Sequence, residues 1–303
     1  MIVFMSKIQT AIIAAADNRF PLTDELIDYL TDKCDVEPIN NLKCEDNKLT
    51  FRSGNAAYAV TRLEGTIPAE QLRAPCSLAW YWPEAALEIQ KHSSHIIVGV
   101  LDESAGAVDA ALRLTQLTAA VCANSGISPI AVLWTGGKAD NQGAPGCVHK
   151  PEEFVAHSQD ASRDALPIEL WVSFIPLMAR NSNQFIMTTR GLEAFGVKEL
   201  ETTGQGQNPQ WVYEHLFNFA HFYLTHPEDV KENQTIGMSN DEKIDILAAS
   251  SRLDPNKDVL MLNFDAIETN RKLEEERNNL PGVETPLPTA PASPPENDDL
   301  PMF

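Results

Sequence analysis

Apolar positions along the chain fall into short continuous runs, strict alternations and helical spacings, and these predict most of its elements. Ile8 to Ala16 is an apolar run closed by Asp17-Asn18, which predicts a buried first strand. Its Ala14-Ala15-Ala16 end has a superficial likeness to a signal-peptide cleavage site, but Gln9 and Thr10 leave the apolar stretch too short for one. Either Met1 or Met5 serves as the start. Pro21-Leu22-Thr23-Asp24 leads into a helix ending near Lys33, with Leu26, Ile27 and Leu30 on one face. Asn41–Arg52 and Ala56–Leu63 alternate as strands about a Ser53-Gly54-Asn55 turn.

The middle of the chain is the most apolar. His95–Leu101 reads as a buried strand, Ala107–Ala123 as a long helix stopped by Asn124-Ser125-Gly126, and Pro129–Trp134 as a second buried strand. Strand, helix and strand predict a βαβ unit whose two parallel strands are neighbours. Gly136–Gly146 reads as a loop and Pro151–His157 as a short helix. Ile168–Ile175 alternates, predicting a half-buried strand with Glu169, Trp171 and Ser173 on its outer side.

Further on, Gln184–Thr189 and Val197–Thr203 flank a turn from Arg190 to Gly196. Asn208-Pro209 starts a helix running to about His226, with Val212, Leu216, Phe219 and Tyr223 as its core face. Thr235–Met238, Lys243–Ala248 and Val259–Phe264 read as closing strands, and Glu268–Asn279 as a charged helix. The expected class is α+β, with mixed sheets, at least one βαβ unit and two packed subdomains. The divisions are 1–160, 161–267, and 268–303 for the charged helix and a Pro-rich tail, with the first boundary near 158–166.

Charge changes this picture most at the end of the chain. Lys and Arg number 23 against 43 Asp and Glu, a net charge of −20. Residues 281–303 hold seven of the 20 prolines and four acids without a base, which predicts a disordered tail and leaves −16 on residues 1–280. So acidic a chain is a poor candidate for gripping nucleic-acid phosphates or an anionic membrane surface. Five cysteines, odd and sparse, fit a reducing compartment such as the cytoplasm and no disulfide framework.

The string Met187-Thr188-Thr189-Arg190-Gly191-Leu192-Glu193-Ala194-Phe195-Gly196-Val197-Lys198-Glu199-Leu200-Glu201 resembles the signature of the bacterial DUF4261 family, a domain of unknown function. A threonine pair precedes Gly-Leu, then Phe-Gly, then an acidic-apolar-acidic strand; Arg190 departs from the pattern. Thr235-Ile236-Gly237, Trp80-Tyr81-Trp82-Pro83 and His92-Ser93-Ser94-His95 extend the likeness over most of residues 8–265. The resemblance implies a soluble bacterial α+β protein and no reaction. Separately, Pro294 to Phe303 is similar to the acidic tip of bacterial single-stranded-DNA-binding proteins. Asp298, Asp299, Leu300, Pro301, Met302 and Phe303 are therefore a candidate partner contact, a phenyl ring and terminal carboxylate suited to a basic-rimmed pocket. A merely solubilising tail is the competing reading.

Candidate chemistry is thin. His92 and His95 share no regular face, Cys147, His149 and His157 lack a fourth ligand, and His215, His221 and His226 point different ways along one helix. No metal and no cofactor is expected. Phosphate-loop, nucleophile-elbow and kinase motifs are missing. Trp80 and Trp82 read as core packing or, less simply, as one exposed contact patch. Topology offers one pocket, beyond the carboxyl ends of the two βαβ strands: Asp102, Glu103 and Ser104 beside Trp134, Thr135 and Lys138. The expected function is a protein-interaction module (inhibitor, immunity or accessory) with a protein partner of basic character. The alternative is an enzyme with a small-molecule site at that pocket.

Overall fold

A computed structural model of the chain describes residues 8–34, 36, 38–102, 104–135, 146–178, 184–205, 208–237 and 243–264. The predicted 268–279 helix, the 281–303 tail, Glu103 and the interior of the 136–146 loop lie outside the described residues. Among those described, no helix is long and apolar enough to cross a membrane.

The first half builds one sheet. In chain order it contributes β1 (Ile8–Ala15), α1 (Thr23–Cys34), β2 (Ile39–Glu45), β3 (Lys48–Ser53), β4 (Ala56–Glu64), α2 (Ala69–Leu78) and α3 (Ala85–Ile89). There follow β5 (Ser94–Leu101), α4 (Ala107–Cys122), β6 (Pro129–Trp134) and β7 (Cys147–His149). Seven strands stand in the order β2-β3-β4-β5-β1-β6-β7, every pair antiparallel. The stretch expected as one strand over 41–52 is two, folded back at Asp46-Asn47.

The βαβ unit forms, but its strands are not neighbours. β1 lies between β5 and β6, antiparallel to both, with Ile8 opposite Leu101 and Ala11 opposite Trp134. β5 and β6 therefore run parallel with a strand between them, a split βαβ. Periodicity marks a buried strand but not its neighbours, and β1, with Ala11, Ile13, Ala14 and Ala15 fully buried, competes equally well for the centre.

The second half builds a mixed sheet. It contributes α5 (Pro151–Ser158), α6 (Ile168–Trp171), β8 (Ser173–Met178), β9 (Gln184–Arg190), β10 (Glu199–Gln205), α7 (Pro209–Thr225), β11 (Gln234–Gly237), β12 (Lys243–Ser250) and β13 (Asp258–Phe264). The order is β11-β12-β13-β10-β9-β8, with only β10 and β13 parallel. Asn208 caps α7, accepting from the Gln210 N–H, and Val212, Leu216, Phe219 and Tyr223 are buried as their spacing predicts.

Residues 168–175 depart from expectation. Ile168–Trp171 is a helical turn behind Pro167, and the strand begins only at Ser173. Trp171 and Ser173, expected outside, are buried. The Trp171 indole N–H donates to Thr115 Oγ1 on α4, and its ring lies against Trp134 and Phe195. A tertiary hydrogen bond and aromatic packing thus override the alternation. Residues 8–264 belong to one compact unit, and its main core draws side chains from both sheets, across the 158–166 stretch that separates them. A smaller cluster, including Leu72, Trp82, Ile89 and Val148, fills the space under α2 and α3.

Candidate functional site

The chain passes from one sheet to the other through α5 and α6, leaving the edge strands β7 and β8 close together. Cys147 Sγ on β7 lies 3.2 Å from Ser173 Oγ on β8. Beside this junction opens a cleft of about 730 Å³. Trp80 and Tyr81, from the turn after α2, form one wall. Phe174 and Pro176 of β8, with Tyr213 and Phe217 of α7, form another. His149, His157 and Glu169 supply its polar groups.

The aromatic walls are ordered by contact. Phe174 lies 5.3 Å from the Tyr213 ring and 5.8 Å from Phe217, and Tyr213 lies 6.2 Å from Phe217. Trp80 and Tyr81 meet edge to face at 6.0 Å. Both remain open to solvent, at 54% and 40% exposure, whereas Trp82 is buried at 2%. The two tryptophans thus do not share a side, because the turn after α2 is not extended.

Hydrogen bonds explain why Trp80 stays over the cleft. Its indole N–H donates to the Phe174 carbonyl at 2.7 Å. In an antiparallel strand a residue's N–H and C=O point the same way, so Phe174, and Pro176 two residues on, face away from β9. The free edge of β8 is therefore covered by an indole and blunted by a proline whose missing N–H costs nothing there. The Tyr81 hydroxyl donates to the Val148 carbonyl at 2.8 Å, and burial holds its pKa well above the usual tyrosine range.

Polar groups in the cleft differ in how well they are satisfied. His149 Nε2–H donates to the Leu170 carbonyl at 3.3 Å, and burial depresses the ring pKa to about 4, so the imidazole is neutral at pH 7. Burial also pushes the Cys147 thiol up to about 12, leaving it no reactive thiolate. His157 Nδ1 meets Glu169 Oε1 at 2.8 Å. Glu169 Oε2 is sealed from water and accepts no hydrogen bond among the described residues. Tyr213 has its pKa raised by burial and further by the Glu169 charge, which places that carboxylate beside the aromatic wall.

The pocket expected from topology is only partly assembled. Asp102 and Ser104 stand together: Asp102 Oδ1 accepts from the Ser104 N–H and hydroxyl and the Ala105 N–H. Burial alone would raise the Asp102 pKa, but the Ser104 hydrogen bonds and the Arg113 charge outweigh it and hold the carboxyl below its usual range. These two residues border a shallow polar depression of about 520 Å³ with Tyr58, Arg113, Gln116 and Arg163. Trp134 and Thr135 lie across β1; the Trp134 ring is core, and Thr135 Oγ1 donates to the Thr10 carbonyl. Glu103, Lys138 and the tip residues Asp298, Asp299, Leu300, Pro301, Met302 and Phe303 lie outside the described residues.

No group of three or more His, Cys, Asp or Glu among the described residues is arranged to hold a metal ion. Cys147, His149 and His157 each engage a different partner, as given above. His92 is buried, its Nε2 accepting from the Ile67 N–H at 2.6 Å while Nδ1–H donates to Ile89, and His95 binds the Gly65 carbonyl.

The threonine-glycine-acid string forms a different kind of centre. Glu199 accepts from Thr189 Oγ1 and from the Gly191 N–H, both at 2.7 Å, and Glu201 accepts from Ser251 Oγ at 2.8 Å and the Arg252 N–H at 3.0 Å. Gly191 has φ 131°, and a Cβ there would come within 2.4 Å of the Trp171 carbonyl oxygen. Residues 188–263 match the family model of DUF4261, a domain of unknown function. The DUF4261 signature thus pins the β9–β10 turn and the turn after β12 with two buried carboxylates; it is scaffold. Tyr213 and Phe217 of the cleft fall inside the matched stretch, whereas Trp80, His157 and Glu169 fall outside it. Neither the curated proteins nor the solved structures contain a match to the chain.

Of the cleft residues the sequence singles out Trp80, and His149 and His157 only as part of an incomplete metal set, while Phe174, Tyr213 and Phe217 carry no site motif of their own. The usable signal was on α7, where Trp211, Tyr213 and Phe217 are aromatic outside the core stripe. Glu169 was obscured by reading 168–175 as a strand.

Proposed function

We propose that the protein is an interaction module whose cleft beside β7 and β8 docks an exposed segment of a basic partner protein. The observation that carries this reading is the pair Trp80 and Tyr81, held half-exposed over an aromatic cleft of about 730 Å³. Net charge of −20 favours a basic partner, because complementary charge steers encounter and disfavours acidic competitors. The covered edge of β8 argues for recognition by inserted side chains and against addition of a strand. Free cysteines without a disulfide among the described residues fit a reducing, cytoplasmic setting. The C-terminal tip, residues 298–303, is kept as a second recognition element of the same module.

A second reading, an enzyme with a small-molecule site, draws its support from the polar depression at Asp102 and Ser104. It is the weaker of the two, since Asp102 already spends one oxygen on the turn into α4 and faces Arg113 with the other.

Selection of a display library of random peptides on the full-length protein tests the docking reading. Recovered peptides should share an apolar and a basic position and lose about tenfold or more in affinity for Trp80→Ala, the effect of removing an aromatic anchor. Recovery of no binder, or binders indifferent to Trp80→Ala and Phe217→Ala, would overturn it.

A further inference from the structure

We propose that the open face of the first sheet, toward the edge opposite β7 and the cleft, docks an acidic segment of a partner protein. Strand register shows which side chains share that face. Arg52, Ala57, Leu101 and Ile8 stand in one row across β3, β4, β5 and β1. Lys43, Thr50, Ala59 and Gly99 stand in the next row, across β2, β3, β4 and β5. Their neighbours along the strands, among them Phe51, Tyr58 and Val100, are buried in the main core, so both rows point the other way. Elsewhere on this side, Ala14, Ala131 and Leu133 pack with Leu72 of α2 and Ile89 of α3. The two rows border a depression of about 390 Å³, with Lys43 and Arg52 exposed and Ile8 40% exposed.

Charge decides what the depression takes. Lys43 and Arg52 lie on its β2–β3 side, and neither meets an acidic side chain at ion-pair distance among the described residues. Glu45, on the same face, stands opposite Lys48 in the following row. A chain of net charge −20 thus keeps two unpaired cations beside an apolar floor. Leu101 and Ile8 form the far side, so the depression is cationic at one end and apolar at the other. Three strand spacings separate β3 from β1, about 14 Å, the span of roughly four extended residues. A short segment with acids at one end and aliphatic residues at the other matches that polarity. It lies across the strands, because the free edge of β2 is broken by a bulge between Asn40 and Lys43, where Asn41 has φ 54°. The rings bordering the depression, Phe51 and Tyr58, are buried, which leaves nucleic-acid bases nothing to stack on.

Heteronuclear NMR on the full-length protein tests the proposal with acetyl-Asp-Asp-Leu-Val-Leu-amide and its twins carrying Asn-Asn or Lys-Lys in place of the acids. Affinities are read at the Thr50, Ala57 and Gly99 amides, so binding at the cleft does not enter. The acidic peptide should bind about fivefold more tightly than the asparagine twin, and the advantage should shrink as salt is added. Lys43→Ala with Arg52→Ala should bring the two level and leave the melting temperature unchanged. Gly99→Val tests the floor with both charges intact. A Cβ there meets only ordinary contacts, Thr10 Cγ2 at 3.7 Å and the Gln9 carbonyl oxygen at 3.8 Å, and the added methyls should weaken the acidic peptide by filling the depression. Equal binding of the acidic and asparagine peptides, a lysine twin that binds as well, or no shift at these amides overturns the proposal. Tighter binding of an oligothymidylate at the same amides overturns the peptide as occupant. The cleft reading stands or falls separately, on Trp80→Ala.

Discussion

Glu199 and Glu201 in the DUF4261 hairpin and Glu169 at the cleft are all withdrawn from bulk water to some degree, yet their surroundings are opposite. Each oxygen of Glu199 and Glu201 accepts from backbone N–H groups or hydroxyls that the fold brings to it. Glu169 has one oxygen on His157 and the other on nothing described. The aromatic residues divide by exposure: Trp171 is buried with its N–H donated to Thr115, whereas Trp80, its N–H donated to the Phe174 carbonyl, stands more than half exposed. The hairpin carboxylates are used up in holding turns, whereas the exposed rings leave a surface for something else. The proposed docking surface thus takes Tyr213 and Phe217 from the matched stretch, and Trp80 and Glu169 from outside it.

Substitution is the sharpest way to break this comparison. Glu201→Ala strands the Ser251 hydroxyl and the Arg252 N–H and should cost about 3 kcal/mol in denaturant unfolding, with Glu199→Ala similar. A loss under about 1 kcal/mol would show that the hairpin acids are not pins.

Acid should act next most strongly, through His149. Its folded pKa of about 4 lies below the ordinary 6.5, so between those values the unfolded chain binds the extra proton. Stability is then complete above pH 6.5 and falls by about 3 kcal/mol at most as pH drops toward 4. His149→Phe should flatten that part of the unfolding profile relative to wild type; an unchanged slope would mean the ring is not held neutral.

Least of all should Glu169→Gln matter to stability. Its His157 partner is half exposed, and a change within about 0.5 kcal/mol is expected by calorimetry. A large loss would reclassify Glu169 as scaffold and remove the contrast with Glu201.

Element types were largely readable from the chain, for reasons the structure makes plain. The helix over 209–225 carries its own start signal in Asn208-Pro209 and a clean core stripe, and β12 and β13 are bounded by turn residues. What failed was relational. Periodicity assigns a face, not a neighbour, so β1 entered unannounced between β5 and β6 and separated Asp102 and Ser104 from Trp134 and Thr135. The alternation over 168–175 was equally silent about the Thr115 hydroxyl that turns Trp171 inward. The cleft was unreadable for the same reason, since its walls come from residues 80, 149, 169, 174 and 213, which meet only through the tertiary fold.

The central claim is that the cleft beside β7 and β8 is the partner-binding surface. Equilibrium binding of a library-selected peptide to the wild type and to Trp80→Ala, with the melting temperature of each recorded, tests it most directly. The account predicts at least a roughly tenfold loss of affinity in Trp80→Ala with little change in melting temperature, as expected for an exposed anchor. Undiminished binding by a folded Trp80→Ala protein would contradict it.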